Sequence, residues 1–135
     1  AVAYLGLDAV DSGGLASGVG RLETPALYLF GEPGACNAEN NMADALPPAA
    51  LTIALRVPYA SHCDFENPYD PACARLCGEP EPPEAATAIR GTIRGLATAW
   101  VTAHLGGEPE AQVVFHRRTL DDLAAANRVE IVRIE

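Results

Sequence analysis

Three short apolar runs, each closed by turn-forming residues, most strongly constrain what this chain can fold into. They span residues 2–7, 26–30 and 51–57, and aspartate, glycine or proline follows them. Continuous apolar runs of this length are typical of strands that a parallel sheet buries on both faces. Loops or short helical stretches, such as residues 40–46, separate the runs. This alternation predicts an α/β fold built around an open, mostly parallel sheet.

Composition is compatible with one globular domain and excludes several classes of partner. The chain has 135 residues, of which 49% are hydrophobic and 20% are charged, so a sizeable core is feasible. The net charge is −9, and all nine cations are arginines. A chain without a basic face is a poor partner for nucleic acid or for an anionic membrane. No apolar stretch is long enough to predict a membrane span.

A long amphipathic helix is predicted over residues 84–105. Its large apolar side chains recur at helical spacing and share one face, which indicates that this face packs on the sheet. They are Ile89, Ile93, Leu96 and Trp100. Two glycines one turn apart, Gly91 and Gly95, are expected to allow close contact between the helix and the sheet.

The remaining residues, 106–135, are predicted to form a C-terminal extension of the domain made by residues 1–105. Within it, the apolar pattern predicts a strand at residues 112–116. A short helix is expected to start near Thr119. A final strand is expected at residues 129–134.

Candidate catalytic side chains follow two of the predicted strands. His62 stands in the loop after the third run, and Asp8 directly ends the first. Because chemistry in open α/β sheets collects at the carboxyl ends of the strands, both side chains are expected at the same edge. A carboxylate there can hold the imidazole in one tautomer, which is the task of the acid in a Ser-His-Asp triad. Asp8 is equally explained as a turn-capping residue before a Ser-Gly-Gly turn.

Other titratable residues are weaker candidates. Asp11 and Glu32 are alternative acids, since Asp11 is close to Asp8 in sequence and Glu32 follows the second run. His104, near the end of the long helix, is interpreted as a partner of the helix dipole. His116, which precedes two arginines, is interpreted as a solvated surface residue.

The order of these motifs resembles the C-terminal half of an α/β-hydrolase. The matching segments are residues 6–11 (GLDAVD), 25–37 (PALYLFGEPGACN) and 60–68 (ASHCDFENP), followed by the long helix. Over residues 1–105 the chain is most similar to chlorophyllase-like and polyester-hydrolase-like esterases. The resemblance implies a carboxylester hydrolase with His62 as its base, since the acid precedes the histidine in this fold.

The two groups of esterases point to different acids. In chlorophyllase-like members the acid sits in a motif similar to residues 7–11, which favours Asp8. In polyester hydrolases the acid follows the next strand, which would favour the region of residues 32–37. The first match is the closer one, and the loop at residues 31–37 contains no aspartate. Asp8 is therefore the preferred acid.

One element of the family pattern is missing from the chain. None of its serines, Ser12, Ser17 and Ser61, lies in a Gly-x-Ser-x-Gly elbow. Ser61 is a poor substitute, because neighbouring residues in an extended strand point to opposite faces. The chain also begins directly in an apolar run. We therefore expect a fragment of a serine hydrolase whose nucleophile lies upstream, about 20 to 35 residues before Ala1.

Four cysteines fall within the loops expected at the active edge. They are Cys36, Cys63, Cys73 and Cys77. An even number in one region predicts two disulfides with three possible connectivities, and hence a secreted or periplasmic protein. In the polyester hydrolases a bridge joins the acid and histidine loops. By that resemblance Cys36 would pair with one cysteine of residues 63–77, and the two cysteines left over in that loop would pair with each other. A zinc site made by all four thiolates, or free thiols, are the alternatives.

The predicted partner is a small ester substrate, and no cofactor or metal is expected. The competing interpretation is a non-catalytic half-fold: a truncated product, or a binding and interaction module with a Cys-rich metal site. In a complete hydrolase sheet residues 2–7 would be central, so their outer flank is expected to be an exposed edge in this chain. Self-association through that edge is predicted, unless the final strand at residues 129–134 covers it.

Overall fold

A computed structural model describes residues 3–14, 18, 23–46, 51–77 and 83–135. The strands are β1 (Tyr4–Leu7), β2 (Ala26–Phe30), β3 (Thr52–Arg56) and β4 (Glu130–Ile134). The α-helices are α1 (Asn41–Ala45), α2 (Pro71–Cys77), α3 (Pro83–His104) and α4 (Arg117–Ala125). Further 3-10 helices lie at Ala35–Asn40, His62–Phe65 and Pro109–Phe115. Residue 2 of the first predicted strand and Ser17 lie outside the described residues.

The described strands form one mixed sheet in the order β1-β2-β3-β4. β1 runs parallel to β2, with Tyr4 opposite Ala26, and β2 runs parallel to β3, with Ala26 opposite Thr52. β4 joins the far side of β3 in the antiparallel direction. The predicted α/β class is confirmed, and the three parallel strands coincide with the three apolar runs.

β2 is the centre of the core because both faces of the sheet are covered there. All five of its residues are buried, as its uninterrupted apolar sequence predicts. One face packs against the predicted apolar stripe of α3. The buried residues of that stripe are Ile89, Ile93, Leu96 and Trp100. The other face carries Tyr28 and Phe30, which pack with Met42 of α1.

The prediction of a strand at residues 112–116 is wrong. Most of these residues belong to the 3-10 helix Pro109–Phe115. A short apolar run does not by itself distinguish a strand from a helical turn. Here Phe115 packs edge-on against Trp100 of α3, with ring centroids 5.1 Å apart. The tail also joins the main core, since Leu120 of α4 is buried in the same cluster as β2 and α3.

Gly91 and Gly95 do not approach the sheet, contrary to the prediction. Both are exposed, and a Cβ at either position would meet nothing within 4 Å. Each glycine lies two residues from Ile93, and a step of two residues leads to the opposite side of a helix. Neither α3 nor any other described helix combines the length and the hydropathy that a membrane span requires.

β1 and β4 occupy the two edges of the sheet. Because β4 lies beside β3, the final strand does not cover the outer flank of β1. No strand in the described part of the chain pairs with that flank. Leu7, at the end of β1, is 41% exposed. The outer flank of β1 is thus one of the two edges of this sheet at which another strand can add.

Candidate active site

Asp8 and His62 meet at the carboxyl edge of the parallel strands. Asp8 directly follows β1, and His62 begins the 3-10 helix that follows β3. Oδ2 of Asp8 lies 2.8 Å from Nδ1 of His62, although 54 residues separate them in sequence. This is a short hydrogen-bond distance. The side chain of Asp8 is fully buried, whereas that of His62 is 35% exposed.

The local backbone orients the Asp8 carboxylate. Asp8 adopts a left-handed conformation with a φ of 41°, which is uncommon for a residue other than glycine. Its N–H still donates to the carbonyl oxygen of Leu29 at 2.7 Å, as if β1 continued by one residue. The N–H of Gly31 donates to Oδ1 of Asp8 at 2.8 Å. A buried carboxylate needs such donors, because burying an unpartnered charge is costly.

Gly31 lets the end of β2 pass close to the histidine loop. A Cβ at this position would lie 2.6 Å from the carbonyl oxygen of Ala60. The N–H of Glu32 donates to the same oxygen at 2.7 Å. Any side chain at residue 31 would push the two loops apart, so this close approach requires glycine.

An ion pair with a buried carboxylate and a partly exposed guanidinium holds the loop that carries His62. Oδ2 of Asp64 accepts hydrogen bonds from the backbone N–H and from the hydroxyl of Ser61, both at 2.9 Å. Oδ1 of Asp64 accepts from Nε of Arg90 on α3 at 3.0 Å. The Arg90 guanidinium also lies 3.9 Å from the ring centre of Tyr69. The turn that carries His62 is thereby tied to α3, because the Arg90 guanidinium compensates the buried charge of the Asp64 carboxylate.

Two disulfides connect α2 to both sides of the site. The pairs are Cys36–Cys77 and Cys63–Cys73, and none of the four cysteines is free. The predicted disulfides are confirmed, and zinc ligation would need the thiolates that these bridges remove. Cys63 directly follows His62, and Cys36 lies in the 3-10 helix beside Asp8. The short helix α2 therefore links the acid loop to the histidine loop covalently.

A cleft of about 230 Å³ opens beside His62. Its walls include Glu32, Tyr59 and the Cys36–Cys77 bridge. Because Nδ1 of His62 is bonded to Asp8, Nε2 is the ring nitrogen that remains to act on a bound molecule. A general base needs such a nitrogen within hydrogen-bond reach of the proton that it removes.

The side chain of Glu32 and the backbone of Asp11 are held by other partners. Oε1 of Glu32 accepts the backbone N–H of Tyr59 at 3.0 Å. The backbone of Asp11 is held by the side-chain amide of Asn41. Of the three acids considered from the sequence, Asp8 is the one that the structure brings to His62.

The other two histidines lie at the opposite end of the sheet. His104 is in the last turn of α3, and its ring centroid lies 4.2 Å from that of Trp100. His116 is exposed and immediately precedes α4. Both line a separate cleft beside Pro25, at the amino end of β2.

Sequence reasoning does not identify Asn37, Asp64 or Arg90 as part of this site. Asp64 has a local signal, because it stands three residues after Ser61 in the spacing of a capping box. Asn37 lies in the 32–37 region to which the polyester-hydrolase resemblance points, but nothing in the sequence distinguishes it there, and Arg90 has no signal. Asn37 contacts Asp8 from 29 positions away, and Arg90 contacts Asp64 from 26. Such contacts form only once the loops have been brought together.

Comparisons with protein-family models, with curated proteins and with solved structures found no match to this chain.

Proposed function

We propose that this chain supplies the general base, His62, and the orienting acid, Asp8, of a serine-type carboxylester hydrolase with an α/β-hydrolase fold. The observation that carries the proposal is the 2.8 Å contact between Oδ2 of Asp8 and Nδ1 of His62. This contact favours the tautomer with a proton on Nδ1, which leaves Nε2 to accept another. The resemblance of residues 1–105 to chlorophyllase-like and polyester-hydrolase-like esterases supports the ester class.

In the proposed reaction, a serine hydroxyl from a segment upstream of Ala1 attacks the ester carbonyl. Nε2 of His62 removes the hydroxyl proton as the serine oxygen bonds to the carbonyl carbon, and then delivers this proton to the leaving alcohol. Asp8 stabilises the imidazolium between these two steps. Water then attacks the acyl-enzyme with His62 again as base, which releases the carboxylic acid and restores the serine.

The surroundings of the site support a neutral substrate and an oxidising compartment. The described walls of the cleft contain the Glu32 carboxylate and no arginine, which favours a neutral ester over an anionic one. The two disulfides support a secreted or periplasmic protein, because structural disulfides persist in oxidising compartments.

The test is hydrolysis of a short-chain nitrophenyl ester by the protein that includes the upstream segment. His62→Gln and Asp8→Asn are each expected to lower kcat by about 10³-fold or more, since the first removes the base and the second removes the charge that orients and stabilises it. His116→Gln is the matched control, because it changes an exposed histidine at the other end of the sheet. Unchanged turnover in His62→Gln would contradict the proposal.

A fluorophosphonate probe distinguishes the proposed enzyme from a non-catalytic binding module. The enzyme is expected to form a covalent adduct on one serine upstream of Ala1, because an activated serine attacks phosphorus as it attacks an ester carbonyl. Labelling should fall in His62→Gln and persist in His116→Gln. A protein that neither hydrolyses esters nor reacts with the probe would contradict the proposed activity and favour the non-catalytic interpretation, a truncated half-fold or a binding module.

A further inference from the structure

We propose that Asn37 is a positioning residue for Asp8, whose carboxylate it holds in the orientation that meets His62. Asn37 belongs to the 3-10 helix Ala35–Asn40 and is 1% exposed. Its Nδ2 atom lies 3.3 Å from Oδ1 of Asp8 and 3.2 Å from Oδ2. One N–H is therefore shared between both oxygens of the carboxylate. The catalytic consequence of this contact rests on the proposed function, whereas the contact itself does not.

The surrounding backbone determines which way the Asn37 amide points. Its Oδ1 accepts the N–H of Gly34 at 2.8 Å and that of Asn40 at 3.3 Å. Its Nδ2 donates a second hydrogen to the carbonyl oxygen of Glu32 at 2.8 Å. A flipped amide would turn its NH2 group toward two donors and its oxygen toward acceptors, so these bonds would all be lost. The NH2 group therefore faces Asp8.

This donor adds a third contact to the two that set the orientation of the Asp8 carboxylate. Gly31 bonds Oδ1 alone, and His62 bonds Oδ2 alone. Asn37 lies within reach of both oxygens, so it anchors the carboxylate group as a whole between these two partners. Because Asp8 is buried, water is not available as a replacement donor. Loss of the Asn37 donor should therefore leave the buried carboxylate short of one donor, let it shift, and weaken its contact with His62.

The disulfides carry this restraint to the histidine side of the site. Cys36, next to Asn37, is bonded to Cys77, and Cys63, next to His62, is bonded to Cys73. Both partner cysteines lie on α2, and their sulfur atoms are 3.7 Å apart. The segments that carry Asn37 and His62 are thus linked covalently through α2.

The tautomer of His62 reports whether Asn37 positions Asp8. It can be read from the ring ¹⁵N chemical shifts of this chain at about pH 9, above the ordinary titration range of imidazole. Asn37→Asp keeps an oxygen for the N–H groups of Gly34 and Asn40 but replaces the donor to Asp8 with a second carboxylate. The ratio of the Nδ1–H to the Nε2–H tautomer is expected to fall about tenfold.

Asn41→Ala is the matched control for this measurement. Asn41 makes two hydrogen bonds to the backbone of Asp11, at 2.9 and 3.1 Å, so the variant loses a comparable local network in the adjoining helix. Its His62 tautomer is expected to match that of the unmodified chain. A folded Asn37→Asp variant with the same tautomer as the unmodified chain overturns the proposal.

The unmodified chain provides a second measurement that applies even if Asn37→Asp fails to fold. The side-chain amide protons of Asn37 are buried and should exchange with solvent about tenfold more slowly than those of exposed Asn67. They should also shift in Asp8→Asn, since the carboxylate that receives one of them is replaced. Fast exchange, or resonances that do not respond to Asp8→Asn, overturns the proposal.

The catalytic effect is measured in the protein that includes the upstream segment. There Asn37→Asp is expected to lower kcat by about 10- to 100-fold with little change in KM, because a misplaced acid affects the proton transfer rather than substrate binding. A shifted tautomer in a protein without esterase activity refutes the proposed function and leaves the role of Asn37 standing. An active esterase whose Asn37→Asp variant has an unshifted tautomer refutes the role of Asn37 and leaves the proposed function standing.

Discussion

Nε of Arg90 lies 3.0 Å from Oδ1 of Asp64, and this ion pair joins the longest helix to the turn that carries His62. The Asp64 side chain is fully buried, whereas that of Arg90 is 28% exposed. The other oxygen of Asp64 is occupied by the N–H and hydroxyl of Ser61. Removal of the guanidinium would therefore leave a buried carboxylate with neutral donors alone.

Arg90→Leu is expected to destabilise the chain by about 3 kcal/mol, because breaking a buried pair leaves the remaining charge without compensation. Urea unfolding followed by the fluorescence of Trp100, the single tryptophan, measures this loss. Arg94→Leu is the control, since Arg94 lies one turn further along α3 and is exposed. Its effect is expected to stay within about 0.5 kcal/mol. Equal losses in the two variants would show that the Asp64 contact is not what stabilises the turn.

Two exposed glycines of α3 are expected to be sites of stabilisation. Gly91→Ala and Gly95→Ala should each raise the free energy of unfolding by about 0.5 to 1 kcal/mol, because alanine is the better helix former and open space surrounds both positions. Gly31→Ala is the contrasting variant and should destabilise the chain, since its Cβ would lie 2.6 Å from the carbonyl oxygen of Ala60. Urea midpoints give the sign of each change, and a loss of stability in Gly95→Ala would contradict the expectation.

Tyr28 is expected to make the free energy of unfolding depend on pH in the alkaline range. Burial raises the pKa of its hydroxyl above the ordinary range of tyrosine, and Tyr4 raises it further. Below about pH 10 the hydroxyl is protonated in both states, but above it the unfolded chain releases a proton that the folded chain retains. The free energy of unfolding should therefore fall as the pH rises beyond about 10, and this part of the fall should vanish in Tyr28→Phe.

The same variant tests a second property of Tyr28. Its hydroxyl finds no hydrogen-bond partner among the described residues although it is buried. Tyr28→Phe is thus expected to gain about 1 kcal/mol at pH ~8, where no tyrosine ionises. Tyr59→Phe, which changes a side chain that is 56% exposed, is the control and should alter little. A less stable Tyr28→Phe would mean that the hydroxyl has a partner in the protein.

The two disulfides are expected to differ in how readily they are reduced. Cys63 and Cys73 are buried, whereas Cys36 and Cys77 are partly exposed. Thiol–disulfide exchange requires access to sulfur, so a limiting amount of a dithiol should open Cys36–Cys77 first. Alkylation followed by mass spectrometry identifies the cysteines that react. In urea-unfolded protein the preference should disappear, and a preference for Cys63–Cys73 in the folded chain would contradict the burial.

Self-association is expected to proceed through the outer flank of β1. Leu7→Lys places a charge on this edge and should lower the sedimentation coefficient of the isolated chain at high concentration, because charged side chains hinder pairing between edge strands. Leu76→Lys is the matched control: Leu76 is 84% exposed but lies on α2, away from the sheet edge. A chain that stays monomeric without substitution, or that responds to Leu76→Lys instead, would contradict this expectation.

Much of the fold could be predicted because its causes are local. Continuous apolar runs lead to buried parallel strands, and the stripe from Ile89 to Trp100 leads to a helix on the sheet. The shared edge of Asp8 and His62 also follows from the direction of those strands. Where local pattern permitted two structures, prediction failed: residues 112–116 have a strand-like composition, yet packing of Phe115 on Trp100 favours a 3-10 helix.

By itself, then, the sequence determined which segments form the parallel strands, which face of α3 packs, and that His62 and the candidate acids follow those strands at one edge. Only the tertiary structure decided that Glu32 bonds Tyr59 rather than His62, that Asn37 holds Asp8, and that Arg90 holds Asp64. The physical reason is that a buried charge takes whichever donor the folded loops bring within hydrogen-bond distance. That choice depends on loop closure and steric approach, and a pattern along the chain encodes neither.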